Sequence, residues 1–310
     1  MSRVATEARE LEHGLRWAAE DTSTDVVADS LRALLQRASH LGGDHQSLRT
    51  MNLVIAPDPH KANAHRASIH ETAQHPARMI RLVEHRADRL DAEVRVRMIE
   101  LGDAGMEVLV EDVVLKADAG RLGHAESMIA PLLARGLPTV AWLPGWDHGA
   151  TEASLARIAH VTIFDSDRDP DPVRAIGFAH GTALEHPSRD LAWLRTLGWR
   201  QRISAAFQTE LAQATLAFTP SGDVVGNVHA PAAMLLAAWI AVRADVNVTL
   251  RPGTGSHPVE AVTVAGIAIP PGDGAPCSAG MLGEALQTVY SAPRGYEDAL
   301  RSLDRVAIVG

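Results

Sequence analysis

GLPTVAWLPGWDHGATEASLARIAHVTIFDSDRDP, residues 136–170, carries the reading that decides the fold. TVAWL (139–143) is an apolar run of strand length that ends at Pro144-Gly145. Residues 151–159 have helical spacing, and HVTIFD (160–165) is a second short apolar run. A strand, a helix and a strand in short succession predict a parallel crossover. The pattern continues upstream, where MNLVIA (51–56) reads as a strand, 61–74 as a helix stopped by His75-Pro76, and RMIRLV (78–83) as another strand. EVRVRMI (93–99) alternates Val94, Val96 and Met98 with Arg95 and Arg97, as a strand with one wet face does. MEVLVEDVVL (106–115) is a longer apolar strand. Only LGDAG and its flanks separate the two, so they predict an antiparallel hairpin, and a helix over 123–135 then leads to TVAWL. The expected fold is α/β: a parallel-rich, mixed sheet with helices on both faces, followed by a smaller C-terminal α+β domain.

Working outward, residues 1 to about 41 read as two helices. The second carries Val26, Val27, Leu31, Leu34 and Leu35 at helical spacing, with Thr22 or Ser23 as N-cap and Gly42-Gly43 as stop. SDRDPDP (166–172) is a linker or a loop entering a helix, and 172–213 read as mainly helical. From Ala214 short strands are expected (TLAFT, VVGNV, VNVTL, VEAVTVAG) around one strong helix, 231–243, with Pro231 in its first turn. Two helices, 280–290 and 296–303, finish the chain. The expected divisions are 1–44 (N-terminal helices), 45–170 (sheet domain), 171–213 (helical connector) and 214–310 (C-terminal domain).

Bulk properties exclude several classes of function. A net charge of −9 and a pI of about 5.9 argue against binding nucleic acid or an anionic membrane. A single cysteine, Cys277, cannot form an internal disulfide or a Cys-based zinc cluster. The N-terminus lacks a signal-type apolar segment, and the longest apolar run, 230–242, is 13 residues, too short to span a bilayer. A cytoplasmic location is expected.

Chemistry-bearing motifs are few. His60, His65, His70 and His75 recur at steps of five, which diverge by roughly 140° on a helix, whereas paired ligands need i, i+4. RPGTGSHP (251–258) has G-x-G, but Pro258 stands where the third glycine belongs and another strand follows. It reads as a hairpin connection, as does PPGDGAP (270–276), and Ser221-Gly222-Asp223 reads as a turn. No catalytic residue, metal or cofactor is expected. FDSDRDP (164–170) lies past the carboxyl end of a predicted parallel strand, where doubly wound sheets bind ligands. Asp165 and Asp167 have the chemistry to hold magnesium, and Ser166 and Arg168 to meet a phosphate; capping of the following helix is the preferred reading. Arg78, Arg81, Arg86, Arg89, Arg95 and Arg97, interleaved with Glu84, Asp88, Asp91 and Glu93, read as a solvated sheet face, with an acidic partner as the sharper alternative.

Four of the six tryptophans fall in two segments, LPTVAWLPGW (137–146) and DLAWLRTLGWR (190–200). Trp142 and Trp193 suit packing as well as contact. Trp146 lies just past a strand end and Trp199 beside basic residues. On a continuous helix Leu191, Leu194, Leu197 and Ile203 form a core stripe, while Arg195, Arg200 and Arg202 concentrate positive charge. Trp146, Trp193, Trp199 and Arg200 are therefore the candidate partner-binding residues, because Trp and Arg are enriched among hot spots.

At these segments the chain resembles the OpcA family of glucose-6-phosphate dehydrogenase assembly proteins, also described as allosteric effectors of that enzyme. The resemblance runs through RTMNLVIA (49–56), HPARMIRLV (75–83), RLDAEVRV (89–96), PLLARGLPTVAWLPGW (131–146), VTIFDS (161–166), DLAWLRTLGWR (190–200) and GEALQTVYSAPRGYEDAL (283–300). It implies a non-enzymatic protein that binds glucose-6-phosphate dehydrogenase and promotes its active oligomer in the oxidative pentose phosphate pathway. In some members cysteines are thought to couple the protein to thioredoxin; Cys277 alone cannot form such an internal switch. The alternative reading is a sensor binding a sugar phosphate or nucleotide near Asp165–Arg168.

Overall fold

The computed structural model describes residues 14–41, 49–57, 76–101, 106–145, 149–271, 278–288 and 295–309. The chain divides into two compact units, Met1–Ile163 and Phe164–Gly310.

The N-terminal unit contains β1 (Leu15–Ala19), α1 (Thr24–Leu41), β2 (Met51–Ile55), β3 (Ala77–Glu84), β4 (Asp91–Leu101), β5 (Met106–Ala117), α2 (Ala119–Leu122), α3 (Ala125–Ile129), β6 (Thr139–Leu143), α4 (Ala150–Ala156) and β7 (Val161–Phe164). These strands run in the order β1–β4–β5–β3–β2–β6–β7. β2 pairs in parallel with β3 and β6, and β3 in parallel with β5. β4 and β5 form the expected antiparallel pair, from Asp91 opposite Lys116 to Leu101 opposite Met106. The sheet is therefore mixed. A parallel strand covered on both faces loses alternation and reads as an apolar run, and every residue of β2 is buried. Its one polar member, Asn52, accepts from the Ala134 N–H at 2.7 Å and donates to the Ala134 carbonyl at 3.2 Å, so its amide is satisfied.

Several expectations need correction here. Residues 1 to about 41 were expected to form two helices, but Leu15–Ala19 is a strand, antiparallel to β4 with Leu15 opposite Val96 and Trp17 opposite Val94. Leu, Trp and Ala are compatible with either state, and the free edge of β4 decides between them. Residues 123–135 do not form one helix: α2 and α3 are short, and a 3-10 turn over Ala130–Leu132 follows at Pro131, whose ring cannot continue the α ladder. The arginine row is only partly a solvated face. Arg78 is buried: its Nε donates to Glu111 at 2.6 Å and its Nη1 to the Leu132 carbonyl at 2.7 Å, while Arg49 approaches the other oxygen of Glu111 at 3.2 Å. Arg81 makes a two-point contact with Asp112, at 2.9 and 2.6 Å. Parallel register sets Arg78 directly beside Glu111, a pairing 33 residues apart that alternation along one strand does not reveal. The helix expected over 61–74, the four spaced histidines and Gly42-Gly43 lie outside the described residues.

The C-terminal unit contains α5 (Pro172–Glu185), a short β8 (Ser188–Asp190), α6 (Leu191–Arg195), α7 (Leu197–Ala206), α8 (Glu210–Phe218), β9 (Ser221–Gly226), α9 (Pro231–Ala244), β10 (Asn247–Pro252), β11 (Val259–Val264), β12 (Ile267–Ile269), α10 (Ser278–Gln287), α11 (Tyr296–Leu300) and β13 (Val306–Ile308). Its five-stranded sheet has the order β12–β11–β9–β10–β13. β9, β10 and β13 are parallel, and β11 and β12 antiparallel to their neighbours. The 13-residue apolar run is the central helix α9. Pro231, Leu235, Leu236 and Ile240 on it are buried with five alanines, and Leu236 and Ile240 pack with Val224, Val248, Leu250 and Val262. No described helix is long and apolar enough to cross a membrane.

Three local readings fail in this unit. TLAFT (215–219) belongs mostly to helix α8, which Thr209 caps by accepting from the Ala212 N–H. Ser221-Gly222-Asp223 opens strand β9 rather than a turn, and Gly222 leaves room for Val248, which a Cβ would meet at 3.1 Å. RPGTGSHP is not a hairpin, because β10 and β11 lie on opposite sides of β9. The Glu260 carboxylate holds the connection by accepting from the N–H groups of Thr254 and Gly255, and a Cβ on Gly253 would sit 2.5 Å from it. Most of PPGDGAP lies outside the described residues, as does Cys277.

Candidate functional site

The second tryptophan segment organises the C-terminal unit. Asp190 ends β8 and caps α6: one carboxylate oxygen accepts from the N–H groups of Ala192 at 2.9 Å and Ser166 at 3.1 Å. The other accepts from the Ser166 hydroxyl at 2.6 Å and the Tyr296 phenol at 3.2 Å. Four donors thus converge on one buried carboxylate. Burial pushes Asp190 up to about 7, against the pull of the Ser166 bonds, and the nearby charges of Asp165 and Asp167 add to the rise. Tyr296 is held well above its usual range by burial first and Asp190 second.

Arg195, at the end of α6, faces the loop after β7. It donates to both oxygens of Asp165, each at 2.6 Å, and to Asp167 at 2.8 Å. Burial alone would lower the guanidinium, but the bonds and charges of the two aspartates outweigh it and hold it above its ordinary value. Asp167 also accepts from the Ala232 N–H at 2.9 Å, so it caps the first turn of α9. Its carboxyl is raised, by burial before all else. Asp165 and Ser166 do not cap the next helix. Asp171 does, accepting from Val173 and Arg174.

The continuous helix expected over 190–207 is broken at Thr196. The Thr196 hydroxyl donates to the Trp193 carbonyl at 2.7 Å, a local side-chain bond that competes with the helical ladder and separates α6 from α7. Arg200 then folds back over this break. Its Nε donates to the Thr196 hydroxyl at 2.9 Å, its Nη2 reaches the Trp193 carbonyl at 3.4 Å, and its guanidinium carbon stands 3.8 Å from the centre of the Trp193 ring. Burial lowers Arg200 to about 10, which Glu284 partly offsets.

The two candidate sets therefore join into one network. It runs from Asp165 and Asp167 through Arg195 to α6, and from Ser166 through Asp190 and Tyr296 to Trp193, whose ring lies 5.6 Å from that of Tyr296, and on to Arg200. Trp193 is only 3% exposed and presents no contact surface. Trp199 is half-buried against the α9 core, Arg168 is exposed, and Trp142 is buried in β6. Trp146 lies outside the described residues. Arg195, counted with the surface charge from sequence, instead points into the Asp165–Asp167 pair. Asp190 and Tyr296 are additions from the structure. The one sequence signal for Asp190 was an aspartate directly before an apolar helix; for Tyr296, 106 residues away, there was none.

This arrangement orders the backbone at helix ends, and its one hydroxyl–carboxylate pair, Ser166 with Asp190, is buried and not presented to a substrate. Both oxygens of Asp165 are taken by a guanidinium where a cation would otherwise sit. Among the described residues, no group of three His, Cys, Asp or Glu residues is placed to hold a metal ion.

No curated protein matches the chain. Two family models do: the glucose-6-phosphate dehydrogenase subunit N-terminal domain over residues 70–178, and the corresponding C-terminal domain over residues 186–301. The second match spans Asp190, Arg195, Arg200 and Tyr296, and the two together cover most of the chain, which belongs to the OpcA family of non-catalytic glucose-6-phosphate dehydrogenase subunits.

Proposed function

We propose that this chain binds glucose-6-phosphate dehydrogenase and promotes its active oligomer, acting as an assembly and activating subunit without catalysis of its own. The observation that carries this reading is the match to both subunit domains, in order, along one chain. The physical basis is linkage. A subunit that binds one oligomeric or conformational state of the enzyme better than another shifts the population toward it, by no more than the difference in affinity. Such a function needs an ordered surface, and the buried carboxylate–arginine–tryptophan network supports this by fixing the ends of α6 and the start of α7.

Titrating the purified chain into its cognate dehydrogenase at limiting enzyme concentration is expected to raise NADPH formation, while the chain alone forms none. A flat titration together with separate elution on a sizing column would rule the reading out.

The proposed docking face includes Trp199 and Arg200. Trp199→Ala is expected to weaken the dehydrogenase complex about 5- to 100-fold, in the range for a hot-spot aromatic. Because Trp199 also packs on the core, its melting temperature is measured alongside. A variant that melts normally and activates fully removes Trp199 from the face. A ligand sensor at Asp165–Arg168 has less support, since Arg195 and Asp190 already engage the polar atoms it would need. A cytoplasmic location accords with the dehydrogenase partner.

A further inference from the structure

Arg200 is held by a hydroxyl, a carbonyl and an aromatic ring. Arg174, Arg195, Arg251, Arg301 and Arg305 in the same unit each reach a carboxylate within 4 Å. Arg200 reaches none among the described residues. Its Nε and Nη2 are engaged by Thr196 and Trp193, and one face of the guanidinium lies on the Trp193 indole. Nη1 has no hydrogen-bond partner among the described residues, and it is not among the buried side-chain atoms left without one. The side chain is half-buried, so this outer edge meets solvent.

A guanidinium is costly to desolvate unless a counter-charge compensates, and here burial depresses its proton affinity. In the free chain that compensation is incomplete. The side chain is nevertheless fixed at three points, so little of its rotamer entropy remains to be lost on binding. A fixed cation with one open edge, on a chain of net charge −9 and beside a half-buried tryptophan, complements an anion presented by a partner.

We infer that Arg200 is a docking cation that receives a carboxylate, an Asp or Glu side chain of the dehydrogenase, at the open edge of its guanidinium. The inference rests on the assembly reading above. Glu284 acts on Arg200 only through its charge and makes no ion pair with it, so the partner's carboxylate supplies the contacting counter-charge, and the Trp193 ring and Thr196 hydroxyl set the direction of approach. Such a pair gives register more than area: one carboxylate position on the enzyme is selected over its neighbours.

The test uses the full wild-type chain with its dehydrogenase. Phenylglyoxal, which modifies accessible guanidines, is applied to the free chain and to the complex, and the rate at Arg200 is followed by peptide mass spectrometry. The expected result is modification in the free chain and at least 10-fold protection in the complex. Affinity is then measured for Arg200→Gln and Arg200→Lys. Gln is expected to weaken binding roughly 10- to 100-fold and flatten its dependence on salt, with Lys intermediate. A complex that forms on the sizing column while Arg200 reacts as fast as in the free chain overturns the docking cation and leaves the assembly role standing. Wild-type affinity in a folded Arg200→Gln variant does the same. If no complex forms with the wild-type chain, the assembly reading falls and this inference falls with it. Because protection is read on the wild-type chain, a Gln variant that fails to fold does not blunt the test.

Discussion

Arg195→Ala is expected to destabilise the C-terminal unit by about 3–5 kcal/mol, the range for removing one partner from a buried ion pair. The cost comes less from the lost attraction than from what is stranded. Asp165 and Asp167 would remain in a low-dielectric setting without their shared counter-charge, and Asp165 is buried. Asp167 would still accept from the first turn of α9, so the disturbance should spread into the central helix. Denaturant melts of the wild type and variant read the effect. The triple variant Arg195→Met, Asp165→Asn, Asp167→Asn should recover part of the loss, because it removes the buried charges together instead of orphaning two of them. An Arg195→Ala chain that unfolds within about 1 kcal/mol of wild type would show that the triad carries little of the stability.

The second large effect is a dependence of stability on pH set by Asp190. Its folded value, about 7, lies above the ordinary 3.8, so the native state keeps a proton that the unfolded chain has already released. Unfolding between those values sheds a proton, and stability therefore falls as pH rises from about 4 to about 7 and levels off above that. Each pH unit of full difference is worth about 1.4 kcal/mol, so the change across the window is on the order of 4 kcal/mol. Asp167, raised in the same direction, adds to the same slope. The groups that face Asp190 are Asp165, Asp167 and Ser166 from the loop after β7, the Ala192 N–H from α6 and Tyr296 from α11. Asp190→Asn keeps two acceptor bonds through its carbonyl and can donate to the Ser166 hydroxyl, leaving only the Tyr296 phenol without an acceptor. This variant should flatten the slope between pH 4 and 7. Melting curves of both proteins at half-unit steps test it, and an unchanged slope would place the titration elsewhere.

Much of the fold was legible because it depends on patterns local in sequence. TVAWL, MNLVIA and RMIRLV were recognisable strands because four to six apolar residues bounded by turn signals have few other uses. The β4–β5 hairpin was legible from its alternation and its short connection, and Pro231 marked the start of α9. The errors fall where a distant strand edge or a single side-chain bond overrides the local pattern. Leu15–Ala19 is a strand because β4 presents an open edge to it; TLAFT is helical because Thr209 caps its start. The helix over 190–207 breaks because Thr196 turns its hydroxyl back onto Trp193.

The same division holds for the site. Composition and motif spacing alone determined that this is an acidic, single-cysteine α/β chain without a cofactor fingerprint, and the order of its segments was enough to point to a family. The sequence also singled out Asp165–Arg168 and the Trp193–Arg200 segment, but as two unrelated candidates, one for a ligand and one for a partner. Only the tertiary structure joined them, by turning Arg195 inward onto two aspartates and bringing Tyr296 across 106 residues to Asp190. Whether an arginine is spent inside the fold or left open at its edge depends on which carboxylates the chain brings within about 4 Å. Sequence separation places no limit on that distance, so the difference between Arg195 and Arg200, five positions apart, is decided by packing.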